Sequence, residues 1–528
     1  MSTHQRPRLL YREGTIVRWP TWKSIIRYMP FVLGACGSEM GLESPSDTPT
    51  AAVDRFAPSP WKSMSVAALQ SEIERAGGRV FIGFKESESV SGVNSHGQRI
   101  VSAATIEQTK EELRREGVEI RREYGRVPAV AATISPNMIV NLLDNSRVEY
   151  VEPVFPSMVA APSSRSAGFR SQSTPWNVTK VQAPTAWSRG TGSGVDLLII
   201  DTGADSDHPD LDYYDIHDCY EEEGDGEDGF GHGTFVAGVA AAADNSSQIV
   251  GVAPDVNLWS VKVGQNDTLD TEAIPCALEY AIDNEVFVVN MSFSGPYYSP
   301  SSQLMAEAVD VHGMLLVASA GNTYGGSITW PAENADVMAV TAVDEDDDRW
   351  IGSPIDYEID IAAPGADITS TCLGGGTCKF DGHGDGTSFA APHAAAAGAI
   401  LKEYNSYWDG GDIRWRLETS AIEVSPLNYF GNGLLKSWYA TGGSTMYATI
   451  YGPSSVSAMA SCQWEASVSG GAPPYSYSWS GVLSGSGGTV SGSVTSSGYL
   501  YLTATDVFNQ PKYASKYITV DMGPPSCG

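Results

Sequence analysis

Short runs of mainly apolar residues alternate with helical patterns across residues 171–440. Such runs, at residues 195–200, 258–263, 286–292, 314–320 and 337–343, are typical of strands buried on both faces of a parallel sheet. The stretches between and after them favour helices, at residues 233–243, 271–282 and 389–401. We therefore predict an α/β fold, a parallel sheet sandwiched by helices, with functional polar groups at the carboxyl ends of the strands.

The flanking regions have different patterns. Residues 78–155 give strand signals near 79–85, 118–124, 128–134 and 148–152, with helices starting at Thr105 and Ser135. The order β-α-β-β-α-β predicts a small ferredoxin-like α+β unit, in which Met138, Ile139, Leu142 and Leu143 form the apolar side of the second helix. Residues 446–528 are rich in Ser, Gly, Tyr and Thr with short alternating strands, which predicts a small all-β sandwich.

The remaining segments are predicted to be a leader and linkers. Residues 1–36 begin with basic residues, continue with an apolar run at 29–35 and end at Cys36, a pattern that resembles a bacterial lipoprotein signal. In such signals the cysteine is lipidated; the alternative is an N-terminal tail without this role. Residues 37–77 are Ser-, Pro- and Ala-rich and predict a linker. Residues 156–170 predict a second, cleavable linker.

Charge excludes some partners. The 528-residue chain has a formal net charge of −31, which argues against binding nucleic acid or anionic membranes through general electrostatics. Acidic clusters are compatible with Ca²⁺, and residues 218–228 hold one; a solvated acidic loop is the alternative interpretation.

The seven cysteines include no CxxC pair, so a zinc ribbon is not indicated. Six remain when Cys36 is set aside, an even number that permits disulfides outside the cytosol. Cys372 and Cys378 bracket a short loop, and Cys462 with Cys527 would staple the last domain. The remaining pair is Cys219 with Cys276.

Four polar residues stand where a buried strand ends or a helix begins. Asp201 follows the first strand, His232 lies in a Gly-His-Gly-Thr turn, Asn322 follows a later strand, and Ser388 opens an apolar helix after Gly386-Thr387. A serine beside helix N–H groups suits a nucleophile whose attack creates an oxyanion. Taken singly, each residue has an ordinary alternative as a turn former, a helix cap or a loop amide. The order Asp, His, Ser is that of a known catalytic triad.

Three motifs carry a family resemblance. Asp201-Thr-Gly, Gly231-His-Gly-Thr-Phe-Val-Ala-Gly238 and Gly386-Thr-Ser-Phe-Ala-Ala-Pro392 resemble the signatures of the subtilisin-like serine proteases. The resemblance implies that Asp201, His232 and Ser388 form the triad and that Asn322 assists the oxyanion. It makes residues 78–155 an inhibitory, folding-assisting propeptide and places the mature N-terminus close to Ser171. We expect His383 to lie in a loop and His393 to have a structural role.

The same resemblance implies substrate and metal sites. Ser292, Phe293 and Ser294 would pair with the substrate backbone, and Ser319, Ala320 and Gly321 would form the other wall of the primary pocket. Ser294 replaces the usual glycine, which narrows the pocket, and Phe235 replaces a second histidine. We expect a preference for apolar P1 residues. A structural Ca²⁺ would be held by the side chains of Gln172, Asp210 and Asn245 and the carbonyl groups of Ala243, Ser247 and Ile249.

We therefore expect an autoprocessed serine endopeptidase, in residues 171–440, that acts on protein or peptide substrates. It would be secreted or at the cell surface or in the periplasm, monomeric, and attached to a membrane only through a lipid on Cys36. The C-terminal region resembles Ig-like or PKD-type modules. Two alternatives are a binding or adhesion protein on a protease-like scaffold and a processing protease with narrow specificity.

Overall fold

The computed structural model describes most of the chain from Ser59 onward. The described residues are 59–85, 103–159, 164–167, 171–221, 224–380, 385–442, 447–458, 460–469, 475–506, 511–521 and 527. The leader predicted for residues 1–36, with Cys36, lies outside them, as do most of the linker predicted for 37–77 and His383.

A seven-stranded parallel sheet forms the middle of the central domain, residues 171–442. Its strands lie in the order β15-β14-β13-β12-β7-β9-β8. Their bounds are Asp196–Asp201 (β7), Tyr213–Asp218 (β8), Asn257–Lys262 (β9), Val288–Met291 (β12), Leu315–Ser319 (β13), Val337–Val343 (β14) and Ile361–Pro364 (β15). The sheet confirms the predicted fold class, and each predicted strand lies within about two residues of its expected bounds.

Helices cover both faces of this sheet. Leu197 and Ile199 of β7 face one apolar core, and Leu198 and Ile200 face the other, because successive side chains of a strand point to opposite sides. The first core includes α6 (His232–Ala241), α9 (Thr387–Tyr404) and α10 (Gly410–Thr419); the second includes α7 (Ala273–Asp283) and α8 (Ser299–Asp310). Helix α9 is buried from Thr387 to Leu401, as expected for a helix that is apolar on all sides.

Shorter elements complete the central domain. The helices are α4 (Trp176–Lys180), α5 (Ala183–Ala186), α11 (Leu427–Phe430) and α12 (Ser437–Ala440). The strands are β10 (Gly264–Gln265), β11 (Thr268–Leu269), β16 (Thr369–Cys372) and β17 (Gly376–Phe380). Strands β16 and β17 form an antiparallel hairpin closed by the Cys372–Cys378 disulfide. A second disulfide joins Cys219 to Cys276, so both predicted pairs of this domain are present.

The N-terminal unit, residues 59–159, has the predicted ferredoxin-like order. Its antiparallel sheet β2-β3-β1-β4 is built from Arg79–Phe84 (β1), Glu119–Glu123 (β2), Ala129–Thr133 (β3) and Val148–Pro153 (β4). Helices α2 (Ala103–Arg115) and α3 (Ile139–Asp144) connect the strands, and a 3-10 turn at Pro136–Met138 precedes α3. Leu143 is exposed, so its predicted place on the apolar side is wrong: the short helix turns it to solvent.

Two segments predicted to be linkers contain regular structure. A 3-10 turn at Pro60–Ser63 and helix α1 (Val66–Arg75) lie within the predicted linker 37–77, and Leu69 and Ile73 pack into the core of the N-terminal unit. Ser65 caps α1 by accepting the Ala68 N–H at 3.3 Å. Within the predicted linker 156–170, Ser157–Met158 (β5) and Ser164–Ala167 (β6) are strands. The N-terminal unit therefore begins earlier than residue 78.

The C-terminal sandwich, residues 447–527, confirms the predicted all-β region. One sheet has the order β18-β20-β23 and the other β19-β25-β24-β21-β22. The bounds are Tyr447–Tyr451 (β18), Ser455–Ser457 (β19), Ser461–Ser469 (β20), Ser476–Gly481 (β21), Gly485–Ser486 (β22), Thr489–Ser493 (β23), Gly498–Thr505 (β24) and Pro511–Asp521 (β25). Trp464 and Trp479 lie in its core, and the predicted Cys462–Cys527 disulfide is present. Among the described residues, no helix has the length and apolarity needed to cross a membrane.

Candidate active site

Asp201 and His232 form a buried hydrogen-bonded pair at the carboxyl end of the sheet. Asp201 is the last residue of β7 and His232 the first of α6. The Nδ1 atom of His232 lies 2.8 Å from Oδ1 of Asp201, and both side chains are fully buried. The same Oδ1 accepts the Thr202 N–H at 2.7 Å. A carboxylate on Nδ1 orients the imidazole so that Nε2 is the atom available for proton transfer.

Asp228 holds the turn that carries His232. Its Oδ1 accepts the N–H groups of Phe230 and Gly231 at 2.9 and 2.8 Å, and its Oδ2 accepts the Thr234 N–H at 2.9 Å and the Thr234 hydroxyl at 2.7 Å. The Thr202 hydroxyl donates to Oδ1 at 3.0 Å and accepts the Gly233 N–H at 2.9 Å. Gly231 has φ of 99°, a left-handed conformation that favours glycine. One carboxylate thus joins the end of β7 to the start of α6.

Ser388 lies in the first turn of α9, and this turn packs against the imidazole through Phe389. The ring of Phe389, the next residue, lies 5.6 Å from the His232 ring and 4.7 Å from Phe235. Ser388 is 4% exposed, and its carbonyl group accepts the Ser292 hydroxyl at 2.7 Å. His232 Nε2 has no hydrogen-bond partner among the described residues, so the Ser388–His232 hydrogen bond is not formed here. Such bonds are often long in the absence of substrate.

Asn322 reaches the same turn from the end of β13. Its Oδ1 accepts the Thr387 N–H at 3.1 Å and the Thr387 hydroxyl at 3.0 Å. A side chain added to Gly386 would meet Asn322 Nδ2 at 3.1 Å, which places the amide nitrogen against the turn before Ser388. With Oδ1 occupied, the N–H groups of the amide remain available as donors beside the turn that leads into Ser388. The arrangement can stabilise negative charge on an oxygen next to Ser388.

The six residues predicted to contact substrate lie on two neighbouring segments. Ser292, Phe293 and Ser294 follow β12, and Ser319, Ala320 and Gly321 end and follow β13. The Ser319 hydroxyl donates to the Phe293 carbonyl at 3.3 Å. Ser292 points inward, accepting the Asn290 amide at 2.9 Å, and Ser294 Oγ lies 3.0 Å from Thr329 Oγ1. The two predicted walls are therefore adjacent and joined by hydrogen bonds.

A strand from the N-terminal unit lies against this surface. Met158 and Ser294 exchange two backbone hydrogen bonds, of 2.8 and 3.0 Å, in an antiparallel bridge. On its other edge, β5 pairs antiparallel with β11. Further along, β6 pairs antiparallel with β17, the strand that precedes the Ser388 helix. The N-terminal unit thus occupies the edge predicted to bind substrate, and the segment after it pairs with the β16–β17 hairpin.

The six predicted metal ligands come together in one loop region. The carbonyl oxygens of Ala243 and Ile249 both face the side-chain amide of Gln172, at 3.0 and 3.4 Å from Nε2. Asp210 accepts the Ile249 N–H at 3.1 Å and the Asn245 amide at 3.2 Å. Ser247 donates its N–H to Asn245 Oδ1 at 2.8 Å. The region thus brings together carbonyl groups, two side-chain amides and a carboxylate, and oxygens of these classes are what a hard cation prefers.

Other candidate residues have structural contacts. His393 is buried, with its ring nitrogens 2.9 Å from Asn177 Nδ2 and 2.8 Å from the Phe389 carbonyl; burial lowers its pKa to about 4. In the acidic loop, Asp218 accepts two backbone N–H groups and Asp225 one, which supports the interpretation of that loop as a hydrogen-bonded surface turn.

Sequence reasoning missed Asp228, Thr202 and Thr387 as parts of the site. Asp228 had a usable signal, since an acidic residue just before a helix commonly accepts its first N–H groups. Thr202 and Thr387 are each next to a predicted catalytic residue, but their hydroxyl contacts depend on the tertiary arrangement.

Comparison with known proteins agrees with this geometry. Residues 192–433 match the model of the Subtilase family. An "Alkaline protease" of Alkalihalobacillus alcalophilus is 34% identical over 377 residues, covering 71% of this chain and 94% of the relative. "Subtilisin Savinase" of Lederbergia lenta is 39% identical over 272 residues, covering 51% and 99%. "Alkaline elastase YaB" of Bacillus sp. (strain YaB) is 32% identical over 379 residues, covering 71% and 94%.

These relatives are matched over nearly their whole length. The chain belongs to the subtilase family and is a serine endopeptidase.

Proposed function

We propose that the protein is an extracellular endopeptidase that cleaves peptide bonds with Ser388, His232 and Asp201 and is made as an inactive precursor. The carrying observation is the buried Asp201–His232 pair beside the first turn of the Ser388 helix. Hydrolysis by such a triad adds no charged group to the peptide bond. Catalysis therefore depends on proton transfer and on stabilisation of the oxyanion.

Ser388 Oγ attacks the scissile carbonyl while His232 Nε2 accepts its proton; the imidazolium then donates that proton to the leaving amine. Asp201 keeps the proton of the neutral imidazole on Nδ1 and stabilises the charged ring. The Asn322 amide and the Ser388 N–H donate to the oxyanion, and Thr387 holds Asn322 in place through its Oδ1. In the second half of the reaction, water takes the place of the amine, and the same imidazole accepts a proton from this water as it attacks.

The N-terminal unit would act as the propeptide. Strand β5 pairs with Ser294 on one side and with β11 on the other, which supports binding of substrate by the same strand addition. Because β5 and β6 flank residues 160–163, we expect the processed bond between Val159 and Ser164, upstream of the alternative near Ser171. The released unit would compete with substrate for the same edge.

A structural Ca²⁺ would be held by Asp210, Asn245 and Gln172 with carbonyl groups of the 243–249 loop. The convergence of the Ala243 and Ile249 carbonyl groups on Gln172 supports this site. With its amide turned by half a rotation, Gln172 would present oxygen in place of nitrogen to the ion, in exchange for the hydrogen bond that its Oε1 accepts from the Ser246 N–H at 3.1 Å. When bound, the ion would tie the start of the mature chain to the loop after α6.

The decisive experiment compares the wild-type protein with Ser388→Ala by intact mass, N-terminal sequencing and labelling with a fluorophosphonate probe. We expect processed, labelled wild type and an uncut, unlabelled variant, with the new N-terminus within residues 160–164. A start at Ser171 would place the cut at the second position. Processing of purified Ser388→Ala, or no labelling of a processed wild type, would contradict the proposed mechanism and favour the scaffold alternative.

A further inference from the structure

Four tyrosines are exposed on one face of the C-terminal sandwich. Tyr499 and Tyr501 on β24 are 50% and 47% exposed, and Tyr513 and Tyr517 on β25 are 70% and 50% exposed. Their neighbours in the alternation, such as Leu500 and Ile518, are fully buried. The tyrosines therefore belong to the outer face of the five-stranded sheet, and large aromatic surface exposed together marks an interaction site.

The register makes these four rings neighbours. Tyr499 lies directly opposite Tyr517, and Tyr501 lies opposite Ser515, diagonal to both Tyr513 and Tyr517. The Tyr499 and Tyr501 ring centroids are 5.8 Å apart with nearly parallel planes, and Tyr517 meets Tyr499 edge-on at 5.0 Å. One cross-strand pair would satisfy the usual aromatic stabilisation of a sheet. Four neighbouring rings are more than this stabilisation of the sheet requires.

Apart from Asp521 at the far end of β25, the rest of this face is uncharged and carries hydroxyl groups. Strand β21 contributes exposed serines beside β24, and β24 and β25 contribute further hydroxyls; these outer residues are Ser476, Ser478, Ser480, Thr503, Thr505, Ser515 and Thr519. Asp521, at the far end of β25, accepts the Ser455 hydroxyl at 2.6 Å. Among the described residues, the tyrosine hydroxyls of this face have no hydrogen-bond partner within the protein.

Charge restricts the class of ligand. Residues 171–440 contain 9 basic and 42 acidic residues, a net charge of −33, whereas residues 446–528 contain 2 basic and 3 acidic residues. A face without cations does not attract nucleic acid or acidic polymers, and one without a carboxylate cluster does not select basic peptides. An apolar protein segment would leave the serine and threonine hydroxyls desolvated and unpaired.

A neutral sugar polymer can contact both the aromatic rings and the hydroxyl groups of this surface. The C–H face of a pyranose ring stacks on an aromatic ring, while its hydroxyls exchange hydrogen bonds with tyrosine, serine and threonine hydroxyls. The four rings lie along two neighbouring strands and are exposed, which suits an extended chain. We propose that the outer face around Tyr499, Tyr501, Tyr513 and Tyr517, the tyrosine face, binds a neutral polysaccharide and holds the protease on a glycan-containing substrate.

The test uses the full chain with Ser388→Ala, so that self-digestion is removed and binding is measured without activity. Depletion from solution by microcrystalline cellulose, chitin, insoluble β-1,3-glucan and insoluble xylan gives the affinities. We expect binding to at least one of these neutral glycans and no loss in 1 M NaCl, because no charged pair is involved. Binding only to heparin or to gelatin would overturn the proposal, as would no binding to any neutral glycan.

A matched pair of double variants locates the site. Tyr501→Ala with Tyr513→Ala should weaken binding about tenfold or more, because the double variant lacks two of the rings on which sugar would stack. Tyr357→Ala with Tyr407→Ala removes two tyrosines that are 81% and 95% exposed in the central domain and should leave binding unchanged. Equal affinities for both double variants would overturn the assignment. Phenylalanine at 501 and 513 keeps the rings and should retain more binding than alanine.

Discussion

At the scale of single residues, the site depends on a carboxylate that does not touch substrate. Asp228 is buried and accepts five hydrogen bonds from four residues on both sides of His232. The Asp201–His232 contact fixes one ring nitrogen, but the position of the ring also depends on where α6 begins. Because Asp228 sets that start relative to β7, it is a positioning residue.

Asp228→Asn should therefore lower kcat while KM changes little. An asparagine offers one accepting oxygen, so some of the five donors lose their partner, and each lost bond to a charged group costs about 1.5–3 kcal/mol. A small displacement of the imidazole would lower kcat by up to about 10²-fold. Steady-state kinetics on a chromogenic peptide measure the loss of activity, and thermal melting measures the loss of stability. Asp225→Asn, an exposed acid of the same loop that accepts one N–H, is the control. Equal kcat in both variants would contradict the positioning role.

At the scale of elements, the strands and helices that the sequence predicted are those whose buried residues follow a regular pattern. Five of the seven strands of the parallel sheet were predictable because runs such as residues 195–200 are apolar on both faces. Strands β8 and β15 were missed, because β8 is partly exposed and β15 has only four residues. The motifs around Asp201, His232 and Ser388 were predictable because each lies at the end of such an element. Helix α1 was missed because Ser, Pro and Ala dominate its surroundings, although Leu69 and Ile73 are spaced for one face. Strands β5 and β6 were missed because they are short and form only by pairing with the central domain.

The Ca²⁺ site proposed at the 243–249 loop gives a prediction at this scale. Free Ca²⁺ at about 100 times its Kd should raise the free energy of unfolding by about 2.7 kcal/mol, because the ion binds only the folded loop. Melting curves with Ca²⁺ and with a chelator measure the difference. Asp210→Asn should abolish it, since Asp210 supplies the buried carboxylate of the donor set. Asp244→Asn, exposed on the same loop, should keep it. A chelator shift that survives in Asp210→Asn would place the ion elsewhere.

The contact of Glu152 with α8 predicts a pH dependence of the precursor. Glu152 accepts the Ser299 N–H at 3.0 Å and the Ser299 hydroxyl at 2.7 Å, at the start of α8. Burial raises its pKa above 4.5, while hydrogen bonds from Ser59 and Ser299 and the charge of Lys62 oppose the shift. Between about 4.5 and the raised pKa, the folded precursor keeps a proton that the unfolded chain has released. This contribution to stability is therefore lost as pH rises through that window.

Glu152→Gln, made in Ser388→Ala to keep the chain uncut, removes the titration. As pH rises through the window, the parent should lose stability relative to this variant, by about 1.4 kcal/mol for each unit by which the pKa is raised. Chemical denaturation at a series of pH values measures the difference. Glu119→Gln on β2 is the control, because Glu119 is exposed. A parent-to-variant difference that is constant with pH would contradict the prediction.

At the scale of the whole molecule, charge is divided unevenly among the parts. The central domain has a net charge of −33, whereas residues 59–159 contain 12 basic and 13 acidic residues. Several of those basic residues face the acidic domain. Arg79 pairs with Asp270 and Glu272, and Arg121 reaches the buried Glu272 at 3.0 Å. The N-terminal unit thus places cations on an acidic surface, in addition to the ring contact of Phe81 with Tyr298 at 5.3 Å.

Release of the N-terminal unit should therefore quicken as salt rises. Increasing NaCl from 0.1 to 1 M shortens the screening length from about 10 to about 3 Å, which weakens the exposed pairs more than the apolar contacts. Arg126 donates to Asp283 and Glu307, both at 2.6 Å. Arg126→Ala should shorten the lag before activity at low salt by about fivefold, since two such pairs contribute about 1 kcal/mol.

The lag is measured as the delay in hydrolysis of a chromogenic peptide after dilution of freshly processed enzyme. Arg115→Ala is the matched control, because Arg115 pairs with Glu111 in its own helix and should leave the lag unchanged. The Arg126→Ala lag should respond less to salt than the wild-type lag, because part of the screened attraction is already gone. If salt lengthens the wild-type lag, apolar burial and not charge limits release of the N-terminal unit, since salting-out strengthens apolar contacts.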